Sequence, residues 1–247
     1  MKKLILSAFI MLNLFANDAK IKVYTETYPP FNMEQNGILT GVSSDILNAM
    51  YQEMGLSKEY QKIKIVPWAR GYKIVQKKKD TMLFSTTRSK ARETMFKWVG
   101  PIYTTKQDIL ALNYNNIKID KLDDLNNYKV GAILGWATTD YLLNHGVKKE
   151  NIEIYVGKDA SNKGFNKLNT NQIDCFIYNQ NAIQYDKYLL KVLASNYKTV
   201  YRIEQDKLYY AFNKNTDDKI ISKWQKALDK VKKSGKYQTI LNKYNLK

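Results

Sequence analysis

Few residues in this chain lend themselves to metal or thiol chemistry. One Cys and one His leave almost no material for a zinc site or a Cys/His nucleophile pair. The lone Cys175 cannot close an intramolecular disulfide, so stability has to come from packing. With 11 Gly and 4 Pro in 247 residues, collagen-like and disulfide-scaffold chains are excluded, and no coiled-coil periodicity is present. Long apolar runs are also missing beyond the first residues: no later segment reaches the roughly 18 apolar residues of a membrane helix.

What the chain does have is 44% hydrophobic side chains, enough for one large core or two smaller ones. It also carries a formal charge of +17. The lysines are scattered, and the densest run, Lys77-Lys78-Lys79, ends an expected helix where cations complement the dipole. No basic stripe marks a nucleic-acid partner. The N-terminus has the three-part layout of a secretory leader: basic Met1-Lys2-Lys3, an apolar run from Leu4 to Phe15, then Ala16 before polar Asn17-Asp18. Residues 1–16 are expected to be cleaved. No Cys follows the run, so a lipid anchor is not expected, and the exported chain belongs in the periplasm.

Strands and helices are expected to alternate. Ile21 to Tyr24 reads as a strand running into Tyr28-Pro29-Pro30-Phe31, and Asn36-Gly37 as a tight turn. Ser43 or Ser44 is expected to cap a helix that Gly55 stops. Ile63 to Val66 is a strand, and Pro67 opens a helix with Trp68, Tyr72 and Val75 on one face. Thr81 to Phe84 is a strand, and Ser89 caps a short helix holding Arg92. Further strands are expected over 129–134, 152–156, 173–178, 198–203 and 208–212. Helices are expected over 140–145 and 159–168, from about 217 to 234, and over 237–244. This alternation means an α/β fold, a mostly parallel sheet with helices on its faces, which binds ligands beyond the carboxyl ends of its strands. Cys175 reads as core, Asp123-Asp124 as first-turn helix acids, and His145 as a helix C-terminal residue.

Six stretches in order then resemble one family. They are Tyr28 to Phe31, Gly37 to Asp45 (GILTGVSSD), Pro67-Trp68, Ser85 to Arg92 (STTRSKAR), Lys121 to Gly135 (KLDDLNNYKVGAILG) and Ser234 to Tyr244 (SGKYQTILNKY). From Ile21 to Tyr244 the chain resembles the exported solute-binding proteins of amino-acid-type ABC transporters. The resemblance implies a two-lobed, type II periplasmic-binding-protein fold with a two-stranded hinge. Residues 20–104 and 208–247 would form one lobe and 107–203 the other, with crossings near Thr104–Lys106 and Glu204–Lys207.

It also implies the site. Arg92 falls on the arginine that clamps a ligand carboxylate, a task its rigid fork suits. Ser85 and Thr87 fall on hydroxyl positions that bond the ligand, and Tyr28 and Trp68 on its two aromatic covers. Thr138 follows Gly135-Trp136-Ala137 ahead of a helix, where the family has small hydroxyl residues and Trp136 adds bulk. Asn179 stands where amino-acid binders hold the ligand ammonium with an aspartate, so either Glu26 supplies the missing charge or the ligand is not a standard α-amino acid. Arg70 is a further candidate for the cleft, and Arg88 either adds charge there or points outward. The expected partners are a small carboxylate-bearing ligand, an amino acid or derivative, and an ABC permease, with the protein a monomer and no cofactor, metal or nucleic acid. Two alternatives use the same fold: a dehydratase of a small carboxylate, for which Glu26 is the one placeable acid, and a ligand-sensing subunit for a membrane receptor.

Overall fold

The computed structural model describes residues 21–57, 62–157, 159–179 and 196–246, of which 179 and 204–206 by backbone alone. The expected leader, 1–16, lies outside the described residues.

The described residues form one eight-stranded sheet and a small hairpin. Strand β1 (Lys22–Thr25) leads into the Tyr28–Asn32 turn, then the hairpin of β2 (Met33–Gln35) and β3 (Ile38–Thr40). Its turn is Asn36-Gly37, both at positive φ, as the short apolar-flanked dipeptide predicts. Helix α1 (Val42–Glu53) follows, then β4 (Lys64–Ile65), α2 (Trp68–Lys77) and β5 (Thr81–Thr87). A one-turn 3-10 helix (Lys90–Arg92) precedes β6 (Phe96–Leu112). After a 3-10 turn over Leu122–Asn127 come β7 (Val130–Ile133), α3 (Ala137–Asn144), β8 (Ile152–Tyr155), α4 (Ala160–Asn169) and β9 (Cys175–Asn179). The chain closes with β10 (Tyr197–Asn213), α5 (Asp218–Lys233) and α6 (Lys236–Lys243).

The strand order is β4-β1-β5-β10-β6-β9-β7-β8. Pairing is parallel at both ends, β4-β1-β5 and β9-β7-β8, and antiparallel through β10 and β6 in the middle. The mixed α/β architecture with flanking helices is therefore as expected. Strand β6 is not among the expected strands, and three further details differ. The 198–203 and 208–212 segments are one strand, because β10 keeps its ladder with β6 from Tyr197–Leu112 through Gln205–Lys106 to Asn213–Phe96, passing three irregularities. Helix α3 begins at Ala137, three residues before the expected Asp140, because Trp136 is already in the extended capping conformation. Neither Ser43 nor Ser44 caps α1; the N-cap is Gly41 at φ 114, where a Cβ would lie 2.6 Å from the Phe31 carbonyl oxygen. Ser89 does cap its 3-10 turn in position, without a side-chain hydrogen bond.

The main core lies under β1, β5 and the facing α1 and α5, where Val23, Ile46, Leu47, Phe84, Phe212 and Leu228 are buried. A second cluster around Ile109, Val130, Leu142 and Cys175 covers the other face near β7 and β9. Helix α4 presses so close to β9 that a Cβ on Gly164 would meet the Phe176 ring at 2.3 Å. Gly164→Ala is therefore expected to lower stability by about 1–2 kcal/mol, overpacking outweighing the gain in helix propensity, read as a lower urea midpoint. Among the described residues no helix is long and apolar enough to cross a membrane.

Candidate functional site

The carboxyl ends of β1, β5 and β7 converge on one cavity, lined by Glu26, Tyr28, Trp68, Ser85, Thr87, Arg92, Gln107, Trp136, Ala137, Thr138 and Leu208. Seven of the nine side chains singled out in the sequence are among them: Glu26, Tyr28, Trp68, Ser85, Thr87, Arg92 and Thr138. Arg70 is a correction. It is exposed on α2 and does not reach the cavity, because two residues along a helix from Trp68 is about 200° of rotation. Asn179 ends β9 with its backbone opposite Gln107, and its side chain lies outside the described residues.

Arg92 is buried, held by the 3-10 turn that follows β5. Its Nη2 donates to the Gly135 carbonyl (2.8 Å) and pairs with Asp140 (3.3 Å). Its guanidinium carbon stands 5.1 Å from the Tyr72 ring centroid and 5.9 Å from that of Trp68, within cation–π range. Its Nη1 is buried with no hydrogen-bond partner among the described residues. So is Thr138 Oγ1, in the first turn of α3. A cation, a hydroxyl and the free N–H groups of a helix start thus border the same space, which is the equipment for an anion. Arg88 turns outward instead, paired with Glu93 and lying over the Trp98 and Tyr209 rings.

Ser85 is engaged already. It sits at φ 60, a left-handed conformation that a serine adopts only where its surroundings hold it. Its hydroxyl donates to Asn32 Oδ1 and shares a 2.8 Å hydrogen bond with Ser43 Oγ. With its proton committed to Asn32, it faces the cavity as an acceptor. Asn32 is fixed in turn by donating to the Glu26 carbonyl at 2.6 Å.

The aromatic residues close the space. Trp68 opens α2 and donates from Nε1 to the same Gly135 carbonyl at 2.6 Å. Gly135 itself is at φ 75, and a Cβ there would stand 3.2 Å from the Trp68 ring. Trp136 stacks on Tyr178 with centroids 5.9 Å apart and leans on Tyr28 at 5.0 Å. Its Nε1 donates to Glu26 Oε2 at 3.4 Å. These contacts leave about 20 Å³ in which a water's centre can lie, room for one or two waters. That space is smaller than an amino acid.

Among the described residues Glu26 is the one acid that lines the cavity. Loss of hydration on burial pushes its carboxyl up to about 8, against a smaller lowering by the Trp136 indole. At neutral pH it is mostly protonated. Among the described residues no group of three His, Cys, Asp or Glu is placed to hold a metal ion.

Gln107, Trp136, Ala137 and Leu208 were not singled out as site residues. Trp136 was visible as an odd bulky residue after Gly135. Gln107 carried a fainter signal: with Thr105 it puts polar side chains at alternate positions of a buried strand, and both are buried.

A cavity at the strand ends of an α/β sheet, bordered by Arg92 and Thr138 and roofed by aromatic rings, is the kind of place where such sheets bind small solutes. Over residues 21–247 the chain matches the bacterial extracellular solute-binding proteins, family 3, and belongs to that family. A "probable histidine-binding protein" of Campylobacter jejuni is 25% identical over 226 residues, 89% of this chain and 82% of that one. An L-arginine-binding protein of Pseudomonas aeruginosa is 23% identical over 256 residues, 99% of this chain and 96% of that one. Among solved structures, a histidine kinase sensor domain with similarity to periplasmic binding proteins superposes with a TM-score of 0.80, at 19% identity, covering 92% and 96% of the two chains. That last likeness bears on the fold alone.

Proposed function

We propose that this is an exported, periplasmic binding protein that captures an amino acid or a close derivative and hands it to an ABC permease. In this reading the ligand carboxylate lies against Arg92 and Thr138, with Tyr28 and Trp68 covering it and Ser85 and Thr87 alongside. The chain works as two lobes, 20–104 with 208–247 and 107–203, which swing about β6 and β10 to admit the ligand. The observation that carries the reading is the buried Arg92, whose Nη1, like the Thr138 hydroxyl on the same cavity, has no hydrogen-bond partner among the described residues. The relatives named for histidine and arginine binding support an amino acid with a cationic side chain, for which Glu26 offers a counter-charge.

Thermal unfolding of the leader-free protein against the standard amino acids and other small carboxylates tests this. A ligand at about 100 times its Kd adds roughly 2.7 kcal/mol to stability, a readily seen shift. No shift with any of them would sink the reading. Glu26 also favours the enzyme alternative on one point, since a buried acid titrating near neutrality is suited to general-acid chemistry. Product formed from a small carboxylate, and lost in Glu26→Gln, would move the function there.

A further inference from the structure

We propose that Gln107 is a ligand-binding residue whose side-chain carbonyl accepts an N–H of the ligand's α-ammonium. The inference rests on the amino-acid reading of the cleft and assigns a group that reading leaves without a partner. A carboxylate held by Arg92 and Thr138 accounts for one end of a zwitterion; the ammonium at the other end still needs acceptors.

Gln107 lies in the middle of β6, 4% exposed, and lines the cavity. Its Nε2 is committed: it donates to the Tyr28 hydroxyl at 3.1 Å and reaches Thr105 Oγ1 at 3.5 Å. Its Oε1 is buried and has no hydrogen-bond partner among the described residues. A buried carbonyl without a donor is expensive to keep, and such groups in a cavity wall wait for one. The register adds a second argument. Gln107 is the direct ladder partner of Asn179, so it neighbours the position where the sequence has an amide in place of a carboxylate. The acceptor missing as a charge at 179 is offered as a neutral carbonyl one strand away. Ser85, with its own proton given to Asn32, is a second acceptor on the same cavity. A neutral acceptor pair holds an ammonium through hydrogen bonds with no ion pair, so it discriminates by the presence of the N–H groups.

The test is calorimetry of wild type, Gln107→Met and Gln107→Glu. The probes are L-histidine and L-arginine with their des-amino counterparts, 3-(imidazol-4-yl)propionate and 5-guanidinopentanoate; another amino acid that shifts the melting curve more is added with its own des-amino form. Gln107→Met, similar in shape and without the carbonyl, is expected to lose at least tenfold in affinity for the amino acids and less than about twofold for the des-amino compounds. Gln107→Glu is expected to keep or improve amino-acid binding. The des-amino compounds show that each variant is folded with an intact carboxylate clamp. Unchanged amino-acid binding in Gln107→Met overturns the assignment. So does an equal loss for both classes of probe, which would make Gln107 a support for Tyr28, and a larger loss for the des-amino acids, which would mean the amide presents its N–H to the carboxylate. If wild type binds neither class, the amino-acid reading itself fails and takes the assignment with it; if wild type binds and only the Gln107 pattern is wrong, the amino-acid reading stands.

Discussion

Arg92→Ala is expected to cost about 100- to 1,000-fold in affinity for the amino acid while the protein stays folded. Truncating one partner of a buried, hydrogen-bonded charge pair typically costs 2–5 kcal/mol, because the remaining charge is left without a counterpart in a dry site. The fold depends much less on this side chain. The Gly135 carbonyl keeps its hydrogen bond from Trp68, and the Asp140 carboxylate, 57% exposed, returns to water. A stability loss near 1 kcal/mol is the expected scale for an ion pair open to solvent on one side. Arg92→Lys separates charge from shape. It keeps the cation but loses the planar fork, and is expected to recover only a minor part of the affinity. Calorimetry gives the affinities and thermal unfolding the stability. Affinity in Arg92→Ala within threefold of wild type would remove the carboxylate clamp.

Glu26 controls two pH profiles of opposite sign. In the folded protein its carboxyl is raised to about 8 from 4.5, so the folded chain holds a proton that the unfolded chain has released between those values. The stabilisation is fully present below about pH 4.5 and is lost as pH rises through 8, by up to roughly 1.4 kcal/mol per unit. Glu26→Gln, neutral at every pH and still able to accept from Trp136, flattens that fall. Binding of a cationic ligand runs the other way. A positive group brought against Glu26 favours the carboxylate, so binding expels the proton and the indole hydrogen bond gives way. Affinity for such a ligand is expected to rise with pH by up to about tenfold per unit below 8 and then level off. Urea unfolding and calorimetry at several pH values, in buffers of different ionisation enthalpy, read both profiles. A pH-independent affinity for arginine in wild type would show that Glu26 does not meet the ligand's charge.

Most of this cavity was legible because its residues lie next to chain punctuation. Tyr28 precedes a Pro-Pro turn, Trp68 follows Pro67, and Ser85 to Arg92 fills the gap between a strand and its following turn. Breakers of this kind put side chains at strand ends, where α/β sheets bind ligands. Gln107 has no such marker. It lies inside a 17-residue strand, β6, whose Gly100-Pro101 reads locally as a break although the ladder to β10 continues past it. Length that arises from pairing with a distant strand leaves no local trace. Arg70 shows the converse limit: nearness in sequence to Trp68 is not nearness in space on a helix. The Ser43 expectation failed for a similar reason. A serine at a helix start is a good cap by propensity, but this one is buried and spends its hydroxyl on Ser85, while the close approach of the Phe31 carbonyl demands glycine at the cap.

The Gly135 carbonyl takes hydrogen bonds from Trp68 and Arg92, and its neighbour Trp136 gives one to Glu26. Two of the four tryptophans therefore have their indole N–H groups committed across the mouth of the cleft, whereas Trp224 is sealed in the core between Tyr51 and Phe212. In the proposed opening, Trp68 and Trp136 exchange a protein partner and a ring neighbour for water, and Trp224 does not. Such an opening is expected to shift emission to the red as those two indoles are wetted, over a background from Trp98 and Trp224. Trp136→Phe is expected to shrink that shift and to remove the hydrogen bond to Glu26 in one step, leaving the change in colour to Trp68.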